Sequence, residues 1–186
     1  MTADDAYRRV SDQFPPELLG RFYSPGGTVG LGKGKIYDSL AYPLFDIESR
    51  TYITAEGLAY VLTHECDVEP ANERVLNEDL LICPIIPLAA LVAEYENVLS
   101  GQLLPAFLGN LGARLVSRVV FIPAIQPELE LGGVLYLNHI THAHVSSFER
   151  ASPVCAVSAF GLQHIEYSLE NHLLRPKDDR LAFAAQ

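Results

Sequence analysis

Gly57-Leu58-Ala59-Tyr60-Val61-Leu62-Thr63 and, after an acidic interval, Asp79-Leu80-Leu81-Ile82-Cys83-Pro84-Ile85-Ile86 decide the fold class. Each run is apolar and is bounded by glycine, proline or charge. Short continuous apolar runs with β-branched and aromatic content read as strands buried in the middle of a sheet. Pro84 marks an edge or a bulge, because proline cannot donate to a ladder.

Working outward, Arg50-Thr51-Tyr52-Ile53-Thr54 reads as a strand, and residues 35–42 read as another, stopped by Pro43. Pro87 opens a helix in which Leu88, Leu91, Val92, Tyr95 and Val98 recur at helical spacing until Gly101. Residues 114–122 and 134–140 return to strand composition, and 142–148 extend the second or begin another. A last helix spans about 158–174. Leu162, Ile165, Leu169 and Leu173 line one face and Pro176 stops it, while His164 and His172 fall on its polar side and read as solvated. Ahead of the sheet, residues 4–14 have helical composition, ended by Pro15-Pro16. The expected organisation is an arm with a glycine-rich loop (1–34), one β-rich domain (35–176) with helices at about 88–99 and 158–174, and a tail (177–186). Strands do not alternate with long helices, so the class is α+β: a small curved antiparallel sheet or barrel, with one inserted helix and a C-terminal helix.

A chain of 186 residues, 49% hydrophobic and 19% charged, can bury a core without disulfides. Its net charge of −10 opposes non-specific nucleic-acid binding, which needs a basic surface. No apolar run reaches the roughly 18 residues of a membrane span, and residues 1–5 lack the pattern of a signal peptide. Cys66, Cys83 and Cys155 are too few and too scattered for a disulfide framework, which points to a reducing, cytoplasmic compartment.

Four features carry candidate chemistry. Residues 25–34 hold five glycines, and Gly27-x-x-x-x-Gly32-Lys33 matches the first part of a phosphate loop. Gly34 stands where the magnesium-binding Ser or Thr belongs, and no helix is expected to follow, so a mobile loop without a nucleotide is the expectation. Thr63-His64-Glu65-Cys66-Asp67 follows a buried strand, a position where scaffolds present chemistry. Cys66 there is a candidate nucleophile with His64 and Asp67 beside it, although the surrounding acids oppose a thiolate. The bland reading is a polar strand end, with Asp67 shaping a turn. His139-x-x-His142-x-His144 places His142 and His144 on one strand face. Joined to His64 and Cys66, they would complete a four-ligand zinc site. Finally, residues 38–79 carry ten acids against Arg50 and Arg74, densest over 65–79. That loop is a solvated face or a docking surface for a basic partner protein; a calcium-binding loop would need the pattern Asp-x-Asp-x-Asp-Gly, which is absent. Arg114, Arg118, Arg150, Arg175, Lys177 and Arg180 could form a second, positive patch, a split that suits head-to-tail contact, as in a homo-oligomer, or a polar partner.

The stretch 61–68, followed by Leu81-Ile82-Cys83-Pro84-Ile85, resembles a group of uncharacterised bacterial and phage proteins. These carry a strand, Ser/Thr-x-x-Cys-Asp, an acidic loop and a second strand ending near proline. Phe121-Ile122-Pro123, Gly132 to Leu137 and the final helix are similar to them as well, so the match covers roughly 35–176. That group distantly resembles the PemK/MazF toxins, SH3-like barrels that cleave RNA. The resemblance implies an SH3-like barrel, but not the RNase chemistry. Those toxins use an Arg-Pro before the first strand and a Thr ending the second, where this chain has Ala55-Glu56-Gly57 and Pro84-Ile85-Ile86-Pro87.

The leading expectation is a non-catalytic protein-interaction module of a bacterial or phage system, defence-related or toxin-like. The alternative is an enzyme, a nuclease-like hydrolase or a metal-dependent one, using His64, Cys66 and Asp67, the metal version with His142 and His144. A small-ligand pocket at the barrel mouth is the third.

Overall fold

A computed structural model describes residues 1–25, 30–68, 78–96, 98–99 and 103–173. Its elements in chain order are α1 (Ala3–Ser11), α2 (Pro16–Leu19), β1 (Lys35–Asp46), β2 (Thr51–Val61), α3 (Glu65–Val68), β3 (Asp79–Pro87), α4 (Leu88–Glu96), α5 (Leu103–Gly112), β4 (Val119–Ile122), β5 (Gly133–Tyr136), β6 (Thr141–His144), β7 (Ser152–Ala156) and α6 (Ala159–Leu173). All ladders are antiparallel, in the order β4-β5-β3-β2-β1-β7, with β6 on β3.

The two deciding runs are central strands, as their composition predicts. β3 is held by β2 on one edge, and by β5 and then β6 on the other. Side chains alternate across a sheet, so an uninterrupted apolar run must be covered on both faces. Leu58, Tyr60, Cys83 and Ile85 face a large core shared with the helices. Ala59, Val61, Leu80 and Ile82 face a smaller core with Tyr37, Leu40, Tyr42, Ala143 and Phe148. A bulge between Tyr37 and Leu40, with Ser39 at φ 56°, returns β1 to the parity that keeps Tyr37, Leu40 and Tyr42 on one face.

Of the two expected architectures the open curved sheet is observed; the ladder does not close into a barrel. β1 and β6 approach each other, joined by a hydrogen bond that Thr141 Oγ1 donates to Pro43 O at 3.1 Å. Pro43 has no N–H to return, so a backbone ladder fails at that point. The same geometry corrects the expectation that Pro43 stops β1. The strand continues to Asp46 because proline's missing donor falls on the edge away from β2.

Other boundaries also move. The expected strands 50–54 and 57–63 merge into one, β2, which runs only from Thr51 to Val61. Strand structure in 114–122 is confined to β4, and 134–140 ends as strand at Tyr136 before a 3-10 turn. Between β3 and β4, where one helix was expected at about 88–99, the described residues form two, α4 and α5. β7 arises at a segment not read as strand, and it pairs with the start of β1.

The N-terminal segment shares the large core. Thr2 and Asp5 form a reciprocal capping box that starts α1, and Ala6 and Val10 are buried. Phe14 meets Phe121 edge-on, with ring centroids 5.2 Å apart. Gly32 and Gly34 are buried too: Gly34 N–H donates to Val61 O at 3.0 Å, and Val157 N–H donates to Gly34 O at 2.8 Å. His164 is not solvated. It is buried in the large core between Phe14 and Phe22, because the apolar stripe of α6 is wide enough to take it in. No helix among the described residues is long and apolar enough to cross a membrane.

Candidate functional site

The Thr63–Asp67 segment leaves β2 and turns into α3. Leu62 N–H donates to Leu81 O at 2.9 Å, and Thr63 Oγ1 accepts the Leu81 N–H at 2.7 Å. The threonine therefore carries the β2–β3 pairing beyond its last backbone step. His64 Nδ1 accepts the Cys66 N–H at 3.2 Å, two residues on, the bond an N-cap side chain makes to the first turn of a helix. Asp67 N–H closes that turn on His64 O at 3.0 Å. The His64 ring lies 3.9 Å from a Glu65 carboxylate oxygen. Cys66 is exposed.

The second histidine group repeats this local chemistry. His144 Nδ1 accepts the Ser146 N–H at 3.2 Å and so caps the following 3-10 turn. Its Nε2 faces Glu78 Oε2 at 3.4 Å, which fixes the neutral ring as the Nε2–H tautomer when it donates there. His142 and His144 share the outward face of β6, opposite Leu81 and Asp79, while Ala143 points inward. His139 packs edge-on against Tyr136 at 4.5 Å, and burial lowers its pKa.

These groups are not brought together. β3 stands between the end of β2, after which the chain reaches His64 and Cys66, and β6, which carries His142 and His144. Among the described residues no three His, Cys, Asp or Glu side chains are arranged to hold a metal ion. Cys83 and Cys155 are no better placed as nucleophiles, since burial pushes both thiols up to about 12. In the glycine-rich stretch a strand follows Gly34, and Lys33 is ion-paired with Glu166 of α6. Most of the acidic loop, residues 69–77, lies outside the described residues, as do Arg175, Lys177 and Arg180.

The feature that sequence reasoning missed is a ribbon. β2 pairs with β3 only over Ala59–Val61, and β1 pairs with β7 only over Lys35–Asp38. Beyond those points β1 and β2 have, among the described strands, only each other as ladder partners. At the far end Phe45 is 49% exposed, Ile47 81%, Tyr52 75% and Ile53 46%. Phe45 and Tyr52 are cross-strand partners and meet edge-on at 5.4 Å. The turn between them is fixed. The Asp46 carboxylate accepts the Ser49 N–H at 3.0 Å and the Glu48 N–H at 3.4 Å, and Arg50 takes a left-handed φ of 56°. Hydrogen bonds from Ser49 hold the Asp46 carboxyl below its usual pKa. The available signal was Leu44-Phe45-x-Ile47 answered by Tyr52-Ile53 across a polar turn, apolar content that no neighbouring run covers. No protein-family model and no curated protein matches the chain.

Proposed function

We propose that this chain is a non-catalytic protein-interaction module, and that the β1–β2 ribbon is its contact element. One observation carries the reading: four large apolar side chains stand exposed at the rigid tip of a ribbon bare of other ladder partners among the described strands. A two-stranded ribbon is marginal alone in water, and clustered exposed apolar groups mark interaction sites. Such an edge accepts a further strand through main-chain hydrogen bonds, with Phe45 and Tyr52 as anchors. Residues 41–57 hold Asp46, Glu48 and Glu56 against Arg50, on a chain of net charge −10. The matching partner is a protein with an apolar, lysine- or arginine-flanked segment. The resemblance of Thr63–Asp67 and its surroundings supports a bacterial or phage system, defence-related or toxin-like; the three scattered cysteines support a reducing cytoplasm, and the missing Arg-Pro and Thr argue against RNA cleavage.

The hydrolase reading asks His64 to act as a base, yet its Nδ1 is occupied by the Cys66 amide. The discriminating experiment captures the partner from native extract at physiological salt and reconstitutes the purified pair. A Phe45→Ser, Ile47→Ser, Tyr52→Ser variant should bind at least about 100-fold more weakly, and Cys66→Ala should bind as the parent does. Unchanged binding by the triple variant, or loss in Cys66→Ala, rejects the proposal.

A further inference from the structure

On the N-terminal side of Ala59, β2 has a free edge, and the register fixes which groups that edge offers. Pro43 stands opposite Thr54 in the β1–β2 ladder. Directly opposite residues of an antiparallel pair exchange both main-chain bonds or neither. Proline has no N–H to exchange, and Pro43 O is turned away from β2, where it accepts the Thr141 hydroxyl at 3.1 Å. The Thr54 N–H and C=O therefore point away from β1 as well. The register is unbroken from Leu40 to Asp46, so the same holds at Tyr52 and Glu56. β3 pairs with β2 only over Ala59–Val61, which leaves the main-chain groups of these three residues without a ladder partner among the described strands.

The other edge of the ribbon is closed to a further strand. Ser39 sits in a bulge at φ 56°, Pro43 offers no donor, and β6 lies against β1. The β2 edge has none of these guards. Thr51-Tyr52-Ile53-Thr54-Ala55-Glu56 is β-branched, aromatic and small, with Glu56 as its single charge. An edge without proline, lysine or a bulge is an open template for pairing.

We infer, on the reading of the ribbon as the contact element, that Tyr52–Glu56 binds an extended segment of the partner as an added antiparallel strand. From its N-terminus that segment reads Lys or Arg, apolar, β-branched, apolar, aromatic. Antiparallel addition continues the sheet's own pattern and is the more stable pairing per residue. It sets the basic residue opposite Glu56, where unlike charges attract across strands, and the aromatic residue opposite Tyr52, extending the Phe45–Tyr52 row. The two apolar residues fall opposite Ala55 and Ile53, on the face shared with Tyr42 and Leu44. A net charge of −10 draws a basic segment and repels a second copy of the chain.

The test is a nuclear magnetic resonance titration of the intact chain with the end-capped peptide Lys-Val-Thr-Ile-Phe. The peptide should shift the amide resonances of residues 52–56 with a dissociation constant of roughly 1 mM or below, weak because a short segment must be ordered. Methylation of the peptide's Lys, Thr or Phe amide nitrogen should weaken binding at least about fivefold, and methylation at Val or Ile, whose amides face away, should leave it within about twofold. Thr54→Pro removes only an outward N–H and should abolish binding while urea unfolding shows the fold intact. Glu56→Lys, at an exposed position, decides the matter should that variant unfold. It should weaken binding at least about threefold, and a peptide with Glu in place of Lys should restore it. No shift up to about 10 mM peptide, tighter binding of the reversed sequence, or methylation effects without the alternation overturns the inference. So does a chain that sediments as a dimer until Thr54→Pro dissociates it, which gives the edge to a second copy. If the captured partner binds Thr54→Pro as it binds the parent, yet loses the Phe45, Ile47, Tyr52 triple variant, the ribbon keeps its role and the added strand alone is rejected.

Discussion

Replacing His164 by Phe should change how the fold responds to acid. Burial and the neighbouring Arg114 lower the His164 pKa from 6.5 to about 4. In the unfolded chain the imidazole takes up its proton near 6.5. Between those two values the unfolded state binds more protons than the folded one, so stability falls as the pH falls. Above about 6.5 the group has no effect, and below about 4 the full penalty is present. At about 1.4 kcal/mol per pH unit, the gap amounts to about 3 kcal/mol, a large part of the stability of a domain this size. Urea unfolding followed by circular dichroism at pH 7.5, 6, 5 and 4 measures it. Wild type should lose about 3 kcal/mol more than His164→Phe over that range, with the carboxylates common to both cancelling in the comparison. Parallel losses in the two proteins would show that His164 is hydrated in the fold, and would refute the reasoning.

Three further outcomes are expected in the same unfolding assay. In α5, a Cβ at Gly112 would lie 2.2 Å from Val10 O, whereas one at Gly109 meets nothing within 4 Å. Gly112→Ala should therefore cost about 1–3 kcal/mol by forcing α1 and α5 apart, while Gly109→Ala should add up to about 1 kcal/mol. If His64 is a helix cap, His64→Ala should lose about 0.5–1 kcal/mol, and His64→Asn, which keeps an acceptor there, should not. The Tyr60 hydroxyl is buried without a hydrogen-bond partner in the described structure. Tyr60→Phe should be neutral or stabilising by about 1 kcal/mol, and a clear loss would reveal an unseen partner.

Hydrophobic pattern made the middle of the sheet legible. Residues 58–61 and 82–85 could avoid water only as strands covered on both faces, and that is their place. α6 was legible from its stripe, and α1 from composition. What stayed hidden depends on partners remote in sequence. α5 was masked by Pro105, Gly109 and Gly112, although Leu104, Leu108 and Leu111 keep helical spacing; Pro105 falls in the first turn, where its missing N–H is harmless. β7 was masked by Pro153, which is tolerated on an edge strand at a register shift. The histidines near Cys66 and on β6 look like ligands in one dimension. The Nδ1 atoms of His64 and His144 instead accept backbone amides two residues on, local bonds that spacing alone does not separate from metal ligation. The ribbon was hidden because each of its strands is an ordinary strand; only the short reach of β3 and β7 leaves its tip bare.

Amide hydrogen exchange of the chain, alone and with its captured partner, tests the role of the ribbon most directly. The account predicts that protection on binding concentrates in residues 43–54 and along the β2 edge of residues 51–58, with little change at residues 63–67. Protection centred on 63–67 or on the outward face of β6, with the ribbon unchanged, would contradict it.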